Sequence, residues 1–386
     1  MSDNKSKEQV AQVFNQLADA LESGEYGEKT KVGITTLGSE HGIEEVVKGA
    51  ELAAQRYSDL EVKLIGPEWD TDLDIIHVTD CEDEAHDKME ELLGTEEIDA
   101  CVTNHFNFPI GVSTVGRIVT PGLGQEMLLA TTTGTSATNR ITAMLRNAIY
   151  GIIAAKAIGT EEPEVGILNV DGARQVEQAL KDLADNGYEI NFAETVRADG
   201  GCVMRGNDLL QGSADVMVTD TLTGNLLMKV FGAFTTGGSY ESLGYGYGPG
   251  VGEDYDQIIN IISRASGAPV IAGAIRYAAD AAQGELVDLA AKELKAVKKA
   301  GLEDIIEELE SANQGVSEEV TAPPEKTVDE EISGLDILTL DDAVHALWKE
   351  DIYAESGMGC TGPVVMVASE DEEEAMEIIK ENGFIG

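Results

Sequence analysis

The feature that most constrains this chain is the alternation of short, apolar, β-rich runs with longer helical stretches from about residue 31 onward. The runs are VGITTLG from Val32, VKLIG from Val62, DIIHVTD from Asp74, IDACVTN from Ile98, MLLATTT from Met127, VGILNV from Val165, INFAETV from Ile190, DVMVTD from Asp215 and PVIAGAI from Pro269. Helical patterns such as Ile43–Tyr57, Asn139–Ile158 and Gln175–Asn186 fall between many of them. Strands that alternate with helices form largely parallel sheets covered by helices. The sequence therefore predicts an α/β fold with a largely parallel sheet.

The same patterns divide the chain into four segments. Apolar residues at helical spacing predict an amphipathic helix within residues 1–30. Residues 31–312 are predicted to form the α/β core, which is long enough to hold two lobes. Residues 313–335 lose apolar periodicity and contain Pro323-Pro324, which indicates a linker. Residues 336–386 have the pattern of helix, strand and helix, so we predict a small αβα unit hinged to the core.

The negative charge of the chain argues against polyanionic partners. It carries 72 acidic and 26 basic residues, a net charge of −46. A field of that sign repels nucleic acid and anionic membranes, so we predict neither as a partner. Carboxylates spread over every segment, with few lysines, suit a surface solvated at high salt, which predicts a halophilic habitat.

The location of the protein follows from two further features. No basic N-terminal stretch precedes an apolar one, and no apolar run approaches the ~20 residues of a membrane span, so we predict a soluble, cytoplasmic protein. The cysteines lie far apart, without a CxxC pair, and are Cys81, Cys101, Cys202 and Cys360. That spacing argues against a zinc site or a disulfide framework, and we predict no metal.

Polar loops follow the predicted strands, where parallel α/β sheets bind their ligands. They comprise residues 38–42, 104–107, 131–136, 169–172 and 220–225. Their hydroxyls, amides and glycines suit phosphate or carbonyl groups, although the same residue types also cap helices and make turns. None is a GxxxxGK[ST] loop and no GxGxxG follows the first strand, so we predict no cofactor.

A long segment rich in glycine and tyrosine, Thr235–Tyr255, stands apart from these loops. Alternating glycines at its centre lack the strand-then-helix context of a dinucleotide site. Its length, glycines and aromatic side chains favour a mobile lid or a partner contact over an idle surface loop.

The C-terminal segment places a thiol among glycines, in the order Ser-Gly-Met-Gly-Cys-Thr-Gly-Pro from Ser356 to Pro363. Glycines allow backbone N–H groups to converge, and such a nest lowers a cysteine pKa and stabilises an oxyanion. The nest would comprise Gly357, Gly359, Thr361 and Gly362 around Cys360. The residues alone equally allow a small buried cysteine in a tight turn.

Cations and histidines supply the other candidates. Lys229 lies one helical turn after Asn225, near the predicted start of a helix, and a phosphate in so acidic a chain needs a local positive group. A surface ion pair is the alternative for this lysine. We consider His41, His105 and His345 as candidate bases, because their pKa values suit proton transfer near neutrality.

With these residues in view, the chain resembles the alpha subunits of component C of glycine/sarcosine/betaine reductase. Three stretches carry the resemblance: ESGMGCTGPVVMVA around Cys360, IISRASGAPVIAGAIRYAAD from Ile261 and GGSYESLGYGYGPGVGE from Gly237. It extends over the whole chain from about Lys31, and the cysteine stretch is its most specific part.

A more distant resemblance is to the phosphate acyltransferase of bacterial phospholipid synthesis. It lies in VGITTLGSEHGIEEVVKGAELAA, in EEPEVGILNVDG and in ADVMVTDTLTGNLLMK, which ends at Lys229. That family is similar to the isopropylmalate-dehydrogenase-like fold, so the resemblance implies an α/β/α architecture. This chain has Gly38-Ser39-Glu40 in place of the usual Gly-Gly-Asp and adds the Cys360 segment, which puts direct use of an acyl carrier in doubt.

The first resemblance implies a role in acetyl transfer. A small selenoprotein carries the two-carbon unit, Cys360 accepts it as an acetyl thioester, and inorganic phosphate releases it as acetyl phosphate. The resemblance also implies a component C beta subunit as partner, and we expect an oligomer. By likeness to the phosphate acyltransferase, phosphate would bind near Lys229, Asn225 and Thr223. Of the candidate bases, we retain His41 and His105 for this reaction.

Two alternatives stay open. A stand-alone phosphate acyltransferase acting on acyl-carrier thioesters would not need Cys360 and would contain a long apolar tunnel. A non-catalytic acidic scaffold for a beta subunit would have an unreactive thiol.

Overall fold

The computed structural model describes residues 29–198, 200–315, 322–333, 335, 339–359, 362–382 and 384. The predicted helix at 8–22 lies outside these residues. The chain divides into two compact units, Met1–Leu309 and Glu310–Gly386, and each has its own core.

Twelve strands belong to the first unit. They are β1 (Thr30–Thr35), β2 (Leu60–Gly66), β3 (Asp74–His77), β4 (Ala100–Thr103), β5 (Ser113–Val119), β6 (Glu126–Gly134), β7 (Glu164–Leu168), β8 (Asn191–Phe192), β9 (Val203–Met204), β10 (Val216–Val218), β11 (Gly248–Val251) and β12 (Ile259–Ile261).

Helices follow most of these strands. They are α1 (Ile43–Arg56), α2 (Glu82–Gly94), α3 (Arg140–Ala157), α4 (Ala173–Asp185), α5 (Gly206–Gln211), α6 (Thr221–Ala233), α7 (Ala268–Gln283), α8 (Leu286–Lys299) and α9 (Leu302–Gly315), the last of which continues past Leu309. None of the helices within the described residues is long and apolar enough to cross a membrane.

The strands form one sheet in the order β3-β2-β1-β4-β12-β11-β5-β6-β10-β7-β8, with β9 also paired to β7. Strands β3, β2, β1, β4 and β12 are mutually parallel, and so are β6, β10, β7, β8 and β9. Antiparallel pairs join β12 to β11, β11 to β5 and β5 to β6. The predicted largely parallel sheet is confirmed, and its two parallel halves run in opposite directions.

Helices pack against both faces of the sheet, which makes the unit an α/β/α sandwich. On one face Val32 and Ile34 of β1 join a cluster with α1, α3, α4, α7 and α8. On the other face Ile65 and Cys101 join a cluster that includes Met89 of α2 and Met228 of α6. Strands buried on both faces contain continuous apolar runs, which is why the sequence shows them clearly.

The run PVIAGAI from Pro269, predicted as a strand, is part of helix α7. The helix is buried along most of its length, so its apolar residues do not fall on a single stripe. A short apolar run of that kind has no period that separates strand from helix. Pro269 lies in the first turn, where a helix tolerates proline.

The mobile lid predicted for Thr235–Tyr255 is also wrong for residues 246–252, whereas the alternative of a partner contact stays a prediction. Residues 246–252 are buried, and the segment contributes β11, which lies at the centre of the sheet between β12 and β5. Glycines fit there because neighbouring backbone approaches closely: a Cβ at Gly248 would lie 1.7 Å from the carbonyl oxygen of Val115. The glycines therefore serve packing in the middle of the sheet.

The second unit contains a three-stranded antiparallel sheet and two helices. Its elements are β13 (Glu330–Ser333), α10 (Leu340–Lys349), β14 (Ala354–Gly359), β15 (Gly362–Val367) and α11 (Glu372–Glu381), with the strand order β13-β15-β14. The predicted αβα order thus omitted strands β13 and β14. Strand β13 lies inside the predicted linker 313–335, because its sequence EEIS has one apolar residue, Ile332, and shows no alternation.

Candidate functional site

The polar loops that follow the strands lie at two opposite edges of the sheet, because the parallel halves run in opposite directions. Loops 38–42 and 104–107, with the residues after β12, lie at one edge, which we call the β12 edge. Loop 169–172 lies at the other edge, which we call the β10 edge, with residues 131–136 and 220–225. These last two were predicted as loops, but residues 131–134 belong to β6 and residues 221–225 begin α6. The predicted loops therefore do not form one site.

Helix α6 connects the two edges across the face of the sheet. It begins at the β10 edge, where the side chain of Asp220 accepts hydrogen bonds from the N–H (3.0 Å) and hydroxyl (2.6 Å) of Thr223. The helix packs so closely on β6 that a Cβ at Gly224 would lie 1.9 Å from the carbonyl oxygen of Thr131. Asn225 donates its amide to the carbonyl of Thr132 at 3.0 Å. These contacts fix the helix against the strand.

Two turns after Thr221, Lys229 reaches the β12 edge. Its ammonium lies 3.3 Å from the hydroxyl of Ser263, 3.8 Å from a carboxylate oxygen of Glu241 and 5.8 Å from the ring centre of Tyr247. The lysine side chain is 55% exposed. An ammonium held by one hydroxyl, with more than half of its side chain exposed, keeps donors available for an anion.

The carboxyl group of Glu241 is the buried acid of this cluster. The residue is 4% exposed, and its oxygens accept hydrogen bonds from Ser266 (3.3 Å) and Tyr247 (3.4 Å). Burial raises the pKa of Glu241, against the opposing effects of nearby hydroxyls and Lys229. Burial likewise raises the pKa of Tyr247, and the adjacent carboxylate adds to the effect. Both groups therefore favour their protonated forms more than they would in water.

A second polar cluster lies on the neighbouring strands of the same edge. The hydroxyl of Thr35 donates to that of Thr103 at 2.7 Å, and Nε2 of His86 lies 3.2 Å from the same Thr103 oxygen. Thr103 ends β4 and is paired with Ile261 of β12, two residues before Ser263. The two clusters therefore come from adjacent strands, with spacing of ~5 Å.

The predicted bases divide between exposed surface and this edge. His41 is exposed and packs edge-on against Tyr240, the residue before Glu241, with ring centres 6.2 Å apart. His105 is exposed and follows Thr103 by two residues. His345 belongs to the second unit, where its ring lies 5.2 Å from that of Trp348.

The three predicted phosphate ligands have separate partners. Thr223 completes the helix cap, and the ~1.5 Å rise per residue places it about 9 Å along α6 from Lys229. Asn225 is held by β6, and of the three only Lys229 contacts the β12 edge. At the opposite edge Arg140 bridges Asp171 (3.0 Å) and Asp220 (3.1 Å).

The described residues on both sides of Cys360 and Thr361 belong to paired strands of the second unit. Strands β14 and β15 pair with Gly357 opposite Val364 and Gly359 opposite Gly362. All three glycines of the predicted nest are thus strand residues, and Gly357 does not have the positive φ of a left-handed glycine. Cys360 and Thr361 lie outside the described residues, so the nest stays a prediction.

The other cysteines differ in access. Cys101 and Cys202 are buried, and burial raises the pKa of Cys101 and raises that of Cys202 to about 11. Neither thiol forms a thiolate readily near neutral pH. Cys81 is exposed.

Glu241, Ser263 and His86 were not selected from the sequence. Glu241 lay inside the segment interpreted as a lid, and His86 lies within an acidic amphipathic helix that resembles an ordinary surface helix. The one available signal was Ser263, which lies two residues after the end of β12 and beside Arg264. Within the described residues no group of three or more His, Cys, Asp and Glu side chains is arranged to hold a metal ion.

The outer face of α6 is apolar and exposed. Leu222 (81% exposed), Leu226, Val230 and Phe234 follow one another at intervals of four residues. Residues at that interval lie on one side of a helix. The helix contains no carboxylate, in a chain with 72 acidic residues.

Comparisons with known proteins agree over most of the chain. The model of the family described as "Fatty acid synthesis protein" matches residues 30–366. The glycine/sarcosine/betaine reductase complex component C subunit alpha of Peptoclostridium acidaminophilum is 60% identical over 381 residues, covering 98% of this chain and 99% of that protein. Phosphate acyltransferases of Geobacillus sp. (strain WCH70) and Bacillus cereus (strain G9842) are 28% and 30% identical, covering 52% of this chain and 70% of each relative.

One solved structure completes the comparison. The 4-hydroxythreonine-4-phosphate dehydrogenase of Klebsiella pneumoniae is 13% identical and matches with a TM-score of 0.40, covering 68% of this chain and 100% of that one. A TM-score of 0.40 is too low to establish a shared fold, so the fold class rests on the sheet order and the two helical layers described above.

Proposed function

The chain belongs to the fatty acid synthesis protein family and, within it, to the component C alpha subunits, and we propose that it transfers an acetyl group to inorganic phosphate in a cytoplasmic glycine/sarcosine/betaine reductase complex. The observation that carries the proposal is the 60% identity to the Peptoclostridium subunit over nearly the whole of both chains. The relation to phosphate acyltransferases supports acyl transfer to phosphate as the class of reaction.

In the proposed reaction Cys360 holds the acetyl group as a thioester. A phosphate oxygen attacks the carbonyl carbon, a new C–O bond forms, and the C–S bond breaks. The products are acetyl phosphate and the Cys360 thiolate, and a base takes the proton that the phosphate loses. Backbone N–H groups beside Cys360 would hold the tetrahedral oxyanion, and removal of one such donor typically raises the barrier by ~3 kcal/mol.

The β12 edge is the proposed phosphate site of the first unit. Lys229 offers the positive charge, the hydroxyl of Ser263 offers a hydrogen bond, and His86 joins His41 and His105 as a base candidate at that edge. A single lysine supports the binding of phosphate as a point charge. Thr223 and Asn225 would act indirectly, by holding α6 in place.

A second candidate function follows from the phosphate acyltransferases, which match about half of this chain. A stand-alone enzyme of that class would use the first unit alone and would not depend on Cys360. A non-catalytic scaffold would show neither Cys360 acetylation nor phosphate binding.

The proposed partners are of two kinds. The Peptoclostridium relative is by name one subunit of a complex, and we propose a component C beta subunit and a small acetyl-carrying selenoprotein as partners of this chain. We also propose that a second copy covers the apolar face of α6. Because α6 has no carboxylate, two copies can bring this face together on itself without placing carboxylates in contact across the two-fold axis.

Acetylation of Cys360 tests the proposed function. The purified chain is incubated with acetyl phosphate, digested and examined by mass spectrometry. We expect acetyl on Cys360, its loss when excess phosphate is added, and no label at that site in Cys360→Ser. Cys81 is the control for nonspecific labelling because it is exposed, whereas Cys101 and Cys202 are buried. An unlabelled Cys360, with the beta partner present as well, would favour the two alternatives.

A further inference from the structure

Two clusters in the first unit combine a buried glutamate with a lysine and a tyrosine, and they differ in the distance between the lysine and the carboxylate. Glu293 is 8% exposed and bonds directly to Lys156 (2.9 Å) and Tyr188 (2.8 Å). In the cluster of Glu241 the carboxylate and the ammonium of Lys229 are 3.8 Å apart, beyond hydrogen-bond distance.

The difference in distance leaves Lys229 available to an outside anion. The side chain of Lys156 is 21% exposed and its ammonium is bonded to a carboxylate, whereas the side chain of Lys229 is 55% exposed. An anion that binds Lys229, however, also comes close to the Glu241 carboxylate, because that carboxylate lies 3.8 Å from the ammonium. An ionised Glu241 would cancel the charge of the lysine and repel a dianion.

We propose that Glu241 takes up a proton when a tetrahedral dianion binds to Lys229, so that anion binding at the β12 edge is coupled to protonation of this buried carboxyl group. The proton enters from solvent and neutralises the carboxylate, and the ammonium then keeps its full charge for the anion. The proposal rests on the proposed function, because it describes the phosphate site of that reaction.

The surroundings of Glu241 favour this coupling. The groups that face its carboxylate are Lys229 from α6, Tyr247 from the segment before β11, and the hydroxyls of Ser263 and Ser266 after β12. Lys229 is the cation among them, and Tyr247 is neutral because its pKa is raised. Burial already raises the pKa of Glu241 before an anion arrives.

The sign of the pH dependence follows from this linkage. A bound dianion raises the pKa of Glu241 further, so anion affinity is greatest where Glu241 is protonated. Affinity falls as pH rises through the pKa of the anion-free protein, by up to about tenfold per pH unit for one linked proton.

The experiment measures binding of sulfate and of inorganic phosphate to the full chain by calorimetry between pH 5.5 and 8.5, in buffers of different ionisation enthalpy. Sulfate keeps its charge over this range, so proton uptake with sulfate belongs to the protein. The variants are Glu241→Gln, which resembles the protonated acid, Lys229→Met, and Glu293→Gln as the matched control.

We expect wild type and Glu293→Gln to take up a fraction of a proton with sulfate. Glu241→Gln should take up a smaller fraction, lose that part of the pH dependence and bind sulfate about tenfold more tightly at pH 7.5. Equal proton uptake in Glu241→Gln, or weaker binding in that variant, would overturn the coupling while leaving phosphate binding intact. Absence of phosphate binding in wild type, or full binding in Lys229→Met, would instead overturn the phosphate site of the proposed function.

Discussion

At the scale of single residues, Gly224 decides where helix α6 lies on the sheet. A side chain at this position would meet the backbone oxygen of Thr131 at 1.9 Å, and backbone of a central strand cannot move aside. The glycine therefore sets the distance between α6 and β6, and with it the position of Lys229 five residues later.

Replacing Gly224 by alanine should displace α6 and lower the free energy of unfolding by about 1–3 kcal/mol, the usual cost of overpacking a core. Sulfate binding should weaken together with stability, because the helix carries Lys229. Chemical denaturation and calorimetry measure the two effects. Gly94→Ala is the matched control, since Gly94 ends α2 and a Cβ there meets nothing within 4 Å. A Gly224→Ala protein as stable as that control would contradict the argument.

The sequence indicated the residue types of the candidate site better than their arrangement. Lys229 was found because a cation near a helix start is rare in so acidic a chain. Its partners Glu241 and Ser263 come from different segments, which are joined by the pairing of β11 with β12 and by a bridge between Glu241 and Ser266. Asn225 and Thr223 were selected with Lys229, but their side chains stabilise the helix and its cap.

At the scale of elements, the errors at α7 and β11 share one cause. Helix α7 and strand β11 are buried on nearly all sides, so neither shows the one-sided pattern by which a sequence indicates helix or strand. Strands β1 and β2 are also covered on both faces, but the sequence still indicated them because their Val and Ile content is typical of strands.

The apolar face of α6 leads to a prediction at the same scale. Wild type should form a dimer in solution, and Leu226→Glu should be monomeric, because a two-fold interface would place two buried carboxylates together. Light scattering after size-exclusion chromatography measures the mass. Trp69→Glu is the matched control, an exposed apolar residue at the β2 side of the sheet, and should leave the dimer intact. A monomeric wild type would show that another partner covers the face or that none does.

At the scale of the whole molecule, the main feature is the excess of negative charge. Few basic residues are available to pair with 72 acidic ones, so most carboxylates repel one another in the folded chain.

Salt should therefore stabilise this protein. The melting temperature is expected to rise steadily with NaCl, most steeply at low ionic strength, where screening changes fastest. Differential scanning calorimetry measures it, and choline chloride at equal ionic strength is the control, since screening does not depend on the identity of the cation. A melting temperature independent of salt would contradict both this prediction and the halophilic habitat.

The sequence by itself determined the α/β class, most of the strands, the long helices α1, α3 and α4, and the resemblance that led to the family. These properties are local, because they depend on apolar periodicity, helix caps and short motifs that neighbouring residues carry. The tertiary structure decided the opposite directions of the two parallel halves, the central position of β11 and the cluster of Glu241 around Lys229. Strand order and direction depend on pairing between residues distant in sequence, and no local pattern encodes which strands become neighbours.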